Sequence, residues 1–333
     1  MIRIIIISLL LLVAVAIVAG AWAWRDYRQF EARPVLADGS AVLWVEPGAT
    51  LATVSAVLER LGLARRDWRW RVLGRIHRPL IKAGEYRVPP GTTPAALVDR
   101  LVDGDVLRHR FTIVEGWTFE RLRSELAADP RLRHGAANLE PAALMKRLGC
   151  EGCWAEGRFL PETYQFVRGD RDLDLLARAY RAMERELERV WRNRDPELPL
   201  ESADELLVLA SLVEMETVIA AERKRVAGVF VRRLERGMRL QTDPTVVYGI
   251  DGEFDGRIRR VHLTTDHPWN TYTRHGLPPT PIALPGKASL HAAARPADGD
   301  ALYFVARGDG THHFSATLDE HNRAVARYIL GRQ

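Results

Sequence analysis

Two glutamates at the end of an apolar stretch carry the strongest chemical signal in this sequence. Ser202-Ala203-Asp204-Glu205 has the form of a helix-starting capping box. Leu206 to Val213 follows with Ser211 as its only polar residue, the pattern of a helix buried on every side. Glu214, Met215, Glu216 and Thr217 close it. Taking a carboxylate out of water is costly, so burial raises its pKa toward neutrality, where a general acid works best. The alternative is a helix end that emerges into solvent, because Glu222, Arg223, Lys224 and Arg225 come soon after.

The spacing limits what the pair can do. Side chains at i and i+2 of a helix diverge by about 200°. Glu214 and Glu216 therefore do not flank one bond as paired acid and base. Glu216 shares a face with Leu209, Leu212 and Ile219, and Glu214 shares one with Leu207, Ala210 and Val218. Periodicity does not say which face lines a cleft. The chemistry needs one carboxyl group alone, or a partner from elsewhere such as Asp243 or Glu162. Met238 to Gly249 is dense in Gln, Thr, Asp and Tyr, side chains that hydrogen-bond sugars, and Asp243-Pro244 also reads as a capped helix start. Arg223 to Met238 is a further predicted helix, and its Arg232, Arg233 and Arg236, with Arg239 beyond, read as a solvated face. Cys150 and Cys153 are the only cysteines; without further ligands nearby they are read as a local disulfide or two idle thiols, not a zinc site.

The elements that must position these groups show local signals. Val45-Glu46-Pro47-Gly48-Ala49-Thr50, Val88-Pro89-Pro90-Gly91-Thr92-Thr93 and Val114-Glu115-Gly116-Trp117-Thr118 each lead into an apolar stripe at helical spacing. In each, a β-type residue precedes a glycine turn and a threonine stands where an N-cap belongs. The first two units are read as a small α+β module, and the third opens the next domain after a strand over 108–114. Asp174 to Trp191 is an amphipathic core helix. Ala301 to Ala306 is a strand, His313-Phe314 its return, and Thr317 to Leu330 a last helix.

The 333 residues carry 48 Lys+Arg against 43 Asp+Glu, a net charge of +5, too slight to point to a nucleic-acid partner. With 47% apolar and 27% charged residues the composition is globular, which excludes disorder. Ile4 to Trp24 is 21 residues without a charge. As a helix it would span roughly 31 Å, near the hydrocarbon thickness of a bilayer. Trp22 and Trp24 stand where an aromatic belt belongs. A cleaved signal peptide is the alternative, with Ala19-Gly20-Ala21 as a cleavage motif; the length of the run favours an uncleaved anchor. Arg3 stands against Arg25, Arg28 and Arg33, so charge counting leaves the orientation open.

The run Ala210 to Thr217, taken with Arg239 to Gly249, closely resembles the MltG (YceG-like) family of membrane-anchored endolytic murein transglycosylases. Glu156-Gly157-Arg158-Phe159-Leu160-Pro161-Glu162-Thr163-Tyr164 also matches, as do Asn270-Thr271-Tyr272-Thr273, Gly276 to Pro279, and Tyr303 to Ala306 with His313-Phe314. Residues 25–39, with mixed charges, Pro34 and Gly39, read as a juxtamembrane linker after the anchor (1–24), and the module at 40–110 resembles the LysM-like subdomain of some cell-wall enzymes, with a spacer that holds the next domain away from the membrane as the alternative. The family resemblance implies an α+β fold with a YceG-like catalytic domain at 111–333. It implies a peptidoglycan lyase that cleaves the MurNAc–GlcNAc β-1,4 bond within a glycan strand, leaves 1,6-anhydro ends and terminates strand growth. The catalytic carboxyl is then Glu216, the glutamate directly before threonine. Glu214, Thr217, Glu162, Thr163, Tyr164, Gln241, Asp243, Tyr248, Asn270 and Tyr272 are expected to bind substrate or support it. No cofactor or metal is expected. The partners are the glycan strands, the inner membrane and peptidoglycan synthases, with residues 25–333 on the extracytoplasmic side. Two rival readings are a non-catalytic murein-binding scaffold and a hydrolase that uses water.

Overall fold

A computed structural model of the chain describes residues 2–136, 138–250 and 254–331. The chain forms two compact units, residues 1–109 with 166–169, and residues 110–165 with 170–333. The secondary structure is mixed α and β.

In the first unit, helix α1 (Ile2–Ala32) is followed by β1 (Ala41–Val45), α2 (Leu51–Arg60), α3 (Trp68–His77), β2 (Gly84–Val88) and α4 (Pro94–Asp103). β1 and β2 pair antiparallel, from Ala41 opposite Val88 to Val45 opposite Gly84. Leu43, Val54, Leu58, Trp70, Leu73, Tyr86, Leu97 and Leu101 fill the core between this ribbon and the helices. The expected N-caps are in place. The Thr50 and Thr93 hydroxyls accept from the amides of Thr53 and Ala96. The preceding turns need a left-handed residue and have one, with φ of 79° at both Gly48 and Gly91.

α1 is long and apolar enough to cross a membrane, and its apolar stretch is exposed. The helix does not stop at Trp24. It continues through the first part of the stretch expected to be a linker, to Ala32, because Tyr27 is buried in the core of the unit and Phe30 packs edge-on against Trp70 at 5.2 Å. Side-chain packing, invisible to a hydropathy count, extends the helix here.

The second unit takes in most of β3 (Arg108–Thr112), α5 (Phe119–Ala127), α6 (Pro141–Leu148) and most of β4 (Thr163–Val167), which pairs with β3. It continues with α7 (Asp172–Arg192), α8 (Ala203–Glu216), α9 (Arg223–Glu235), α10 (Asp243–Tyr248), α11 (Arg260–Thr264) and α12 (Lys287–Ala294). The hairpin of β5 (Tyr303–Ala306) and β6 (His312–Ser315) follows, and then α13 (Leu318–Tyr328). Thr118 caps α5 as the sequence predicts, and Thr317, read from the sequence as the start of the last helix, is the cap of α13. α9 stops at Glu235, short of the expected Met238, because the chain turns at Gly237 with φ 61°. Cys150 and Cys153, at the end of α6, are joined as a disulfide.

α8 is the centre of this unit. Every residue from Leu206 to Glu214 is buried, and α7, α9 and α12 pack around it. Its start is half of the expected box: Ser202 Oγ accepts from the Glu205 amide at 3.2 Å, but Glu205 accepts from the Glu201 amide at 2.7 Å rather than from Ser202. Ser211 is accommodated because it donates to the Val208 carbonyl at 2.7 Å and accepts from the Ile282 amide at 3.1 Å. Leu212 is fully enclosed by this packing. Leu212→Ala is expected to destabilise the second unit by about 2–5 kcal/mol, seen as a lower urea midpoint at unchanged slope.

Candidate active site

Glu216 is the last residue of α8, and Thr217 turns the chain into an extended conformation. The Thr242 hydroxyl donates a short hydrogen bond to Glu216 Oε1. Thr242 is itself fixed from below. Its amide donates to Thr271 Oγ1 at 3.0 Å, and the Gln241 amide donates to the Thr271 carbonyl at 3.2 Å. Thr245 Oγ1 lies 2.8 Å from Thr271 Oγ1 and donates to the Thr242 carbonyl at 2.7 Å. Thr242, Thr245 and Thr271 are all buried, so these bonds form without competition from water. Gln241 holds a left-handed backbone, φ 50°, which costs a non-glycine residue about 1–3 kcal/mol. The threonine lattice holds that conformation in place.

Glu216 opens onto a cleft of about 430 Å³. Of the expected residues, Gln241, Asp243 and Tyr272 line it too. The Tyr272 hydroxyl donates to Asp243 Oδ1 at 2.6 Å. Asp243 lies in the first turn of α10, one residue past the Thr242 cap, instead of capping the helix itself. The rest of the lining includes residues not named as site residues from the sequence: Arg233, Tyr303, Phe304, His321 and Asn322.

Arg233 corrects the reading of the basic run as a solvated face. Its side chain is buried and donates to the carbonyls of Leu302 at 2.6 Å and Leu240 at 2.9 Å. Arg232 likewise donates to the Ala301 and Ala297 carbonyls at 2.8 and 3.0 Å. Both arginines tie α9 to the segment that leads into β5. The Tyr303 ring lies beneath the Arg233 guanidinium at 5.0 Å and stacks on His321 at 5.2 Å. A run of arginines hides the one that turns inward; its spacing of three from Phe230, on the buried face of α9, is the only sequence signal.

Burial pushes the Glu216 carboxyl up to about 7; the Thr242 bond pulls it down and the negative charge of Asp243 pushes it up. Desolvation, and then the Asp243 partner, raise the Tyr272 phenol. Burial and the nearby Arg233 charge lower His321.

The other expected residues do not line this cleft. Glu214 points elsewhere, as the 200° argument requires: its Oε2 accepts from the Gly286 amide at 2.9 Å, and Arg223 lies 3.6 Å from its Oε1. Thr217 accepts from the Ile219 amide at 3.1 Å. Glu162 pairs with Lys287 at 3.4 Å, and the Thr163 hydroxyl bonds that of Thr112 at 2.9 Å. Tyr164 donates to the Leu160 carbonyl at 2.8 Å. Asn270 is enclosed; it donates to the Thr265 carbonyl at 2.7 Å and accepts from the Tyr272 amide at 2.8 Å, so it shapes the loop that presents Tyr272.

Tyr248, at the far end of α10, donates to Glu156 Oε2 at 3.2 Å, and the amide of Phe119 donates to Glu156 Oε1 at 2.9 Å. Glu156 is a second buried carboxyl pushed up to about 7 by desolvation. α10 therefore has a buried glutamate bonded at each end, through Thr242 and through Tyr248. Thr242 and Glu156 were not among the expected site residues. Both lie inside the recognised runs, and only the packing distinguishes them from their neighbours.

The chain as a whole is similar to known proteins. The model of the YceG-like family matches residues 43–327. A Bacillus subtilis protein named endolytic murein transglycosylase is 31% identical over 268 residues, 75% of this chain and 74% of that one. A protein of the same name from Streptococcus pneumoniae serotype 2 is 25% identical over 320 residues, 86% of this chain but 58% of the longer relative. A YceG-like protein from Listeria monocytogenes, known from a crystal structure, has 27% identity and a TM-score of 0.56, covering 85% of this chain and 98% of that one.

A carboxyl raised by burial binds its proton more tightly in the fold than in the unfolded chain. Its stabilising contribution is full at pH values below about 4.5 and is lost as the pH rises through about 7. Glu216→Gln removes that loss. The variant is expected to melt higher than the native protein at pH 8, with the gap closing by pH 5, in thermal scans across pH. Thr242→Val removes the donor that favours the ionised form, so NMR titration of the Glu216 carboxyl should move above its native midpoint.

Proposed function

The chain belongs to the YceG-like family, and on that premise we propose that it is an endolytic murein transglycosylase whose catalytic group is Glu216. The observation that carries this assignment is one largely buried carboxyl, held near neutrality and aimed at a cleft, while its neighbour Glu214 is bonded to the backbone at Gly286.

The chemistry needs only that group. Protonated Glu216 gives its proton to the oxygen of the β-1,4 bond between MurNAc and GlcNAc as positive charge builds on the sugar. The resulting carboxylate accepts the Thr242 hydrogen bond and takes the proton of the MurNAc 6-hydroxyl. That oxygen attacks C1 and closes a 1,6-anhydro ring. No water is consumed, so no second carboxylate has to activate one. The Asp243 charge keeps the proton on Glu216 before reaction. Gln241, Asp243, Tyr272 and Tyr303 offer hydrogen bonds and a ring face to the glycan along the cleft.

In the same reading, 40–110 is a LysM-like module and 111–333 the catalytic domain. The order β1–α2–α3–β2, with the two strands paired antiparallel, supports the first assignment. α1 is the single-pass anchor in the inner membrane, with residues 25–333 on the side where murein lies. An enzyme held there reaches newly made strands first, which makes peptidoglycan synthases its natural partners and termination of strand growth its effect.

Glu216→Gln, folded by circular dichroism, is expected to lose at least a hundredfold of murein cleavage. Anhydro-ended products released by that variant at the native rate would overturn the assignment. Mass spectrometry of the native digest should show fragments without an added water, and an added water would make the protein a hydrolase. Because the acid must be protonated, cleavage should fall as pH rises through about 7.

A further inference from the structure

Helix α13 turns one side to the cleft that holds Glu216, a side that the proposed chemistry does not use. Leu318, His321 and Asn322 all line that cleft. Their spacing of i, i+3 and i+4 puts them on one face of the helix. The turn that carries them is held by a full capping box. Thr317 Oγ1 accepts from the Glu320 amide at 3.3 Å, and Glu320 Oε2 accepts from the Thr317 amide at 3.2 Å. The His321 ring stacks on Tyr303 of β5 at 5.2 Å, with 25° between the planes. The face is therefore built before any ligand arrives.

Three chemically different groups stand on it. Leu318 is apolar yet 54% exposed. Asn322 is exposed and offers a side-chain amide. His321 Nδ1 is enclosed without a hydrogen-bond partner. Burial, and then the Arg233 and His313 charges, lower the His321 pKa, so the imidazole is neutral at pH 7. One nitrogen of a neutral imidazole donates and the other accepts. A buried N–H without a partner is rarer than an unused acceptor, so the enclosed Nδ1 is the bare nitrogen. The proton is then on Nε2, which leaves that nitrogen as a donor for a ligand in the cleft.

We propose that this face of α13 is a subsite for an N-acetyl group of the glycan. His321 Nε2–H donates to the acetamide carbonyl, the Asn322 side-chain oxygen accepts the acetamide N–H, and the methyl rests on Leu318. A sugar hydroxyl would serve the histidine or the asparagine but would offer nothing to the leucine; the acetamido group matches all three. The subsite makes the cleft selective for N-acetylated strands, because a free ammonium has no carbonyl to accept the bond and no methyl to bury. This rests on the reading of the cleft as a murein site.

The test compares kcat/KM on fully acetylated glycan strands with that on strands treated with deacetylases, one pool freed at GlcNAc and one at MurNAc. His321→Phe keeps an aromatic ring on Tyr303 and loses both nitrogens. On acetylated strands it is expected to lose about fivefold or more, and His321→Gln, which keeps a donor amide, to lose less. Equal losses in the two variants would overturn the assignment of the donor. In one deacetylated pool the native protein should lose as much as His321→Phe does on acetylated strands. There His321→Phe should lose less than about twofold further, because both changes remove the same interaction. Losses that multiply in both pools overturn the subsite, as does His321→Phe acting at the native rate on acetylated strands. Should His321→Phe fail to fold by circular dichroism, Asn322→Ala, at an exposed position, decides by the same comparison. A native protein that releases no anhydro-ended fragments from acetylated strands overturns the transglycosylase reading, and the subsite with it.

Discussion

A carboxyl group at the end of a helix with no solvated side is the constraint on which this protein depends. α8 gives up water along its whole length from Leu206 to Glu214, and α7, α9 and α12 are needed to cover it. The helix then delivers Glu216 to the wall of a cleft, and desolvation there pushes its carboxyl up to about 7. The packing that stabilises the second unit and the acidity of its central group have one cause. Desolvating the carboxyl works against stability when it ionises, and the enclosed apolar length of α8 offsets that cost.

The site is completed by short-range hydrogen bonds between segments far apart in sequence. Thr242, Thr245 and Thr271 hold one another, keep Gln241 in its left-handed backbone, and aim one hydroxyl at Glu216. α10 is secured at its other end by Tyr248 on Glu156. Six residues are too few to form a stable helix alone, so its place is set by these two carboxyls and by the packing of Val246. Arg233 joins the Leu240 segment to the start of β5 in the same way, its guanidinium spent on main-chain carbonyls.

The first unit follows a different logic. A two-stranded ribbon is marginal by itself. Here three helices and the last turns of α1 supply the missing apolar surface, with Tyr27 counted in the core and Phe30 against Trp70. The helix that begins as an exposed apolar run thus ends, at Tyr27 and Phe30, as a structural part of this unit.

Features set within a few residues were legible in the sequence. Thr50, Thr93 and Thr118 cap helices where their spacing places them, because a cap needs only its own turn. The burial of α8 and the divergence of Glu214 from Glu216 follow from period and geometry alone. The runs around Glu216, Gln241 and Tyr272 were recognisable as a family pattern. Which glutamate faces the cleft was a tertiary decision, since both faces of α8 are apolar and only neighbours distinguish them. The same holds for Thr242 as the donor to Glu216 and for Arg233 turning inward from a basic run to the Leu302 carbonyl. A hydrogen bond across dozens of residues has no period, so its partners become known only when the chain is folded around them.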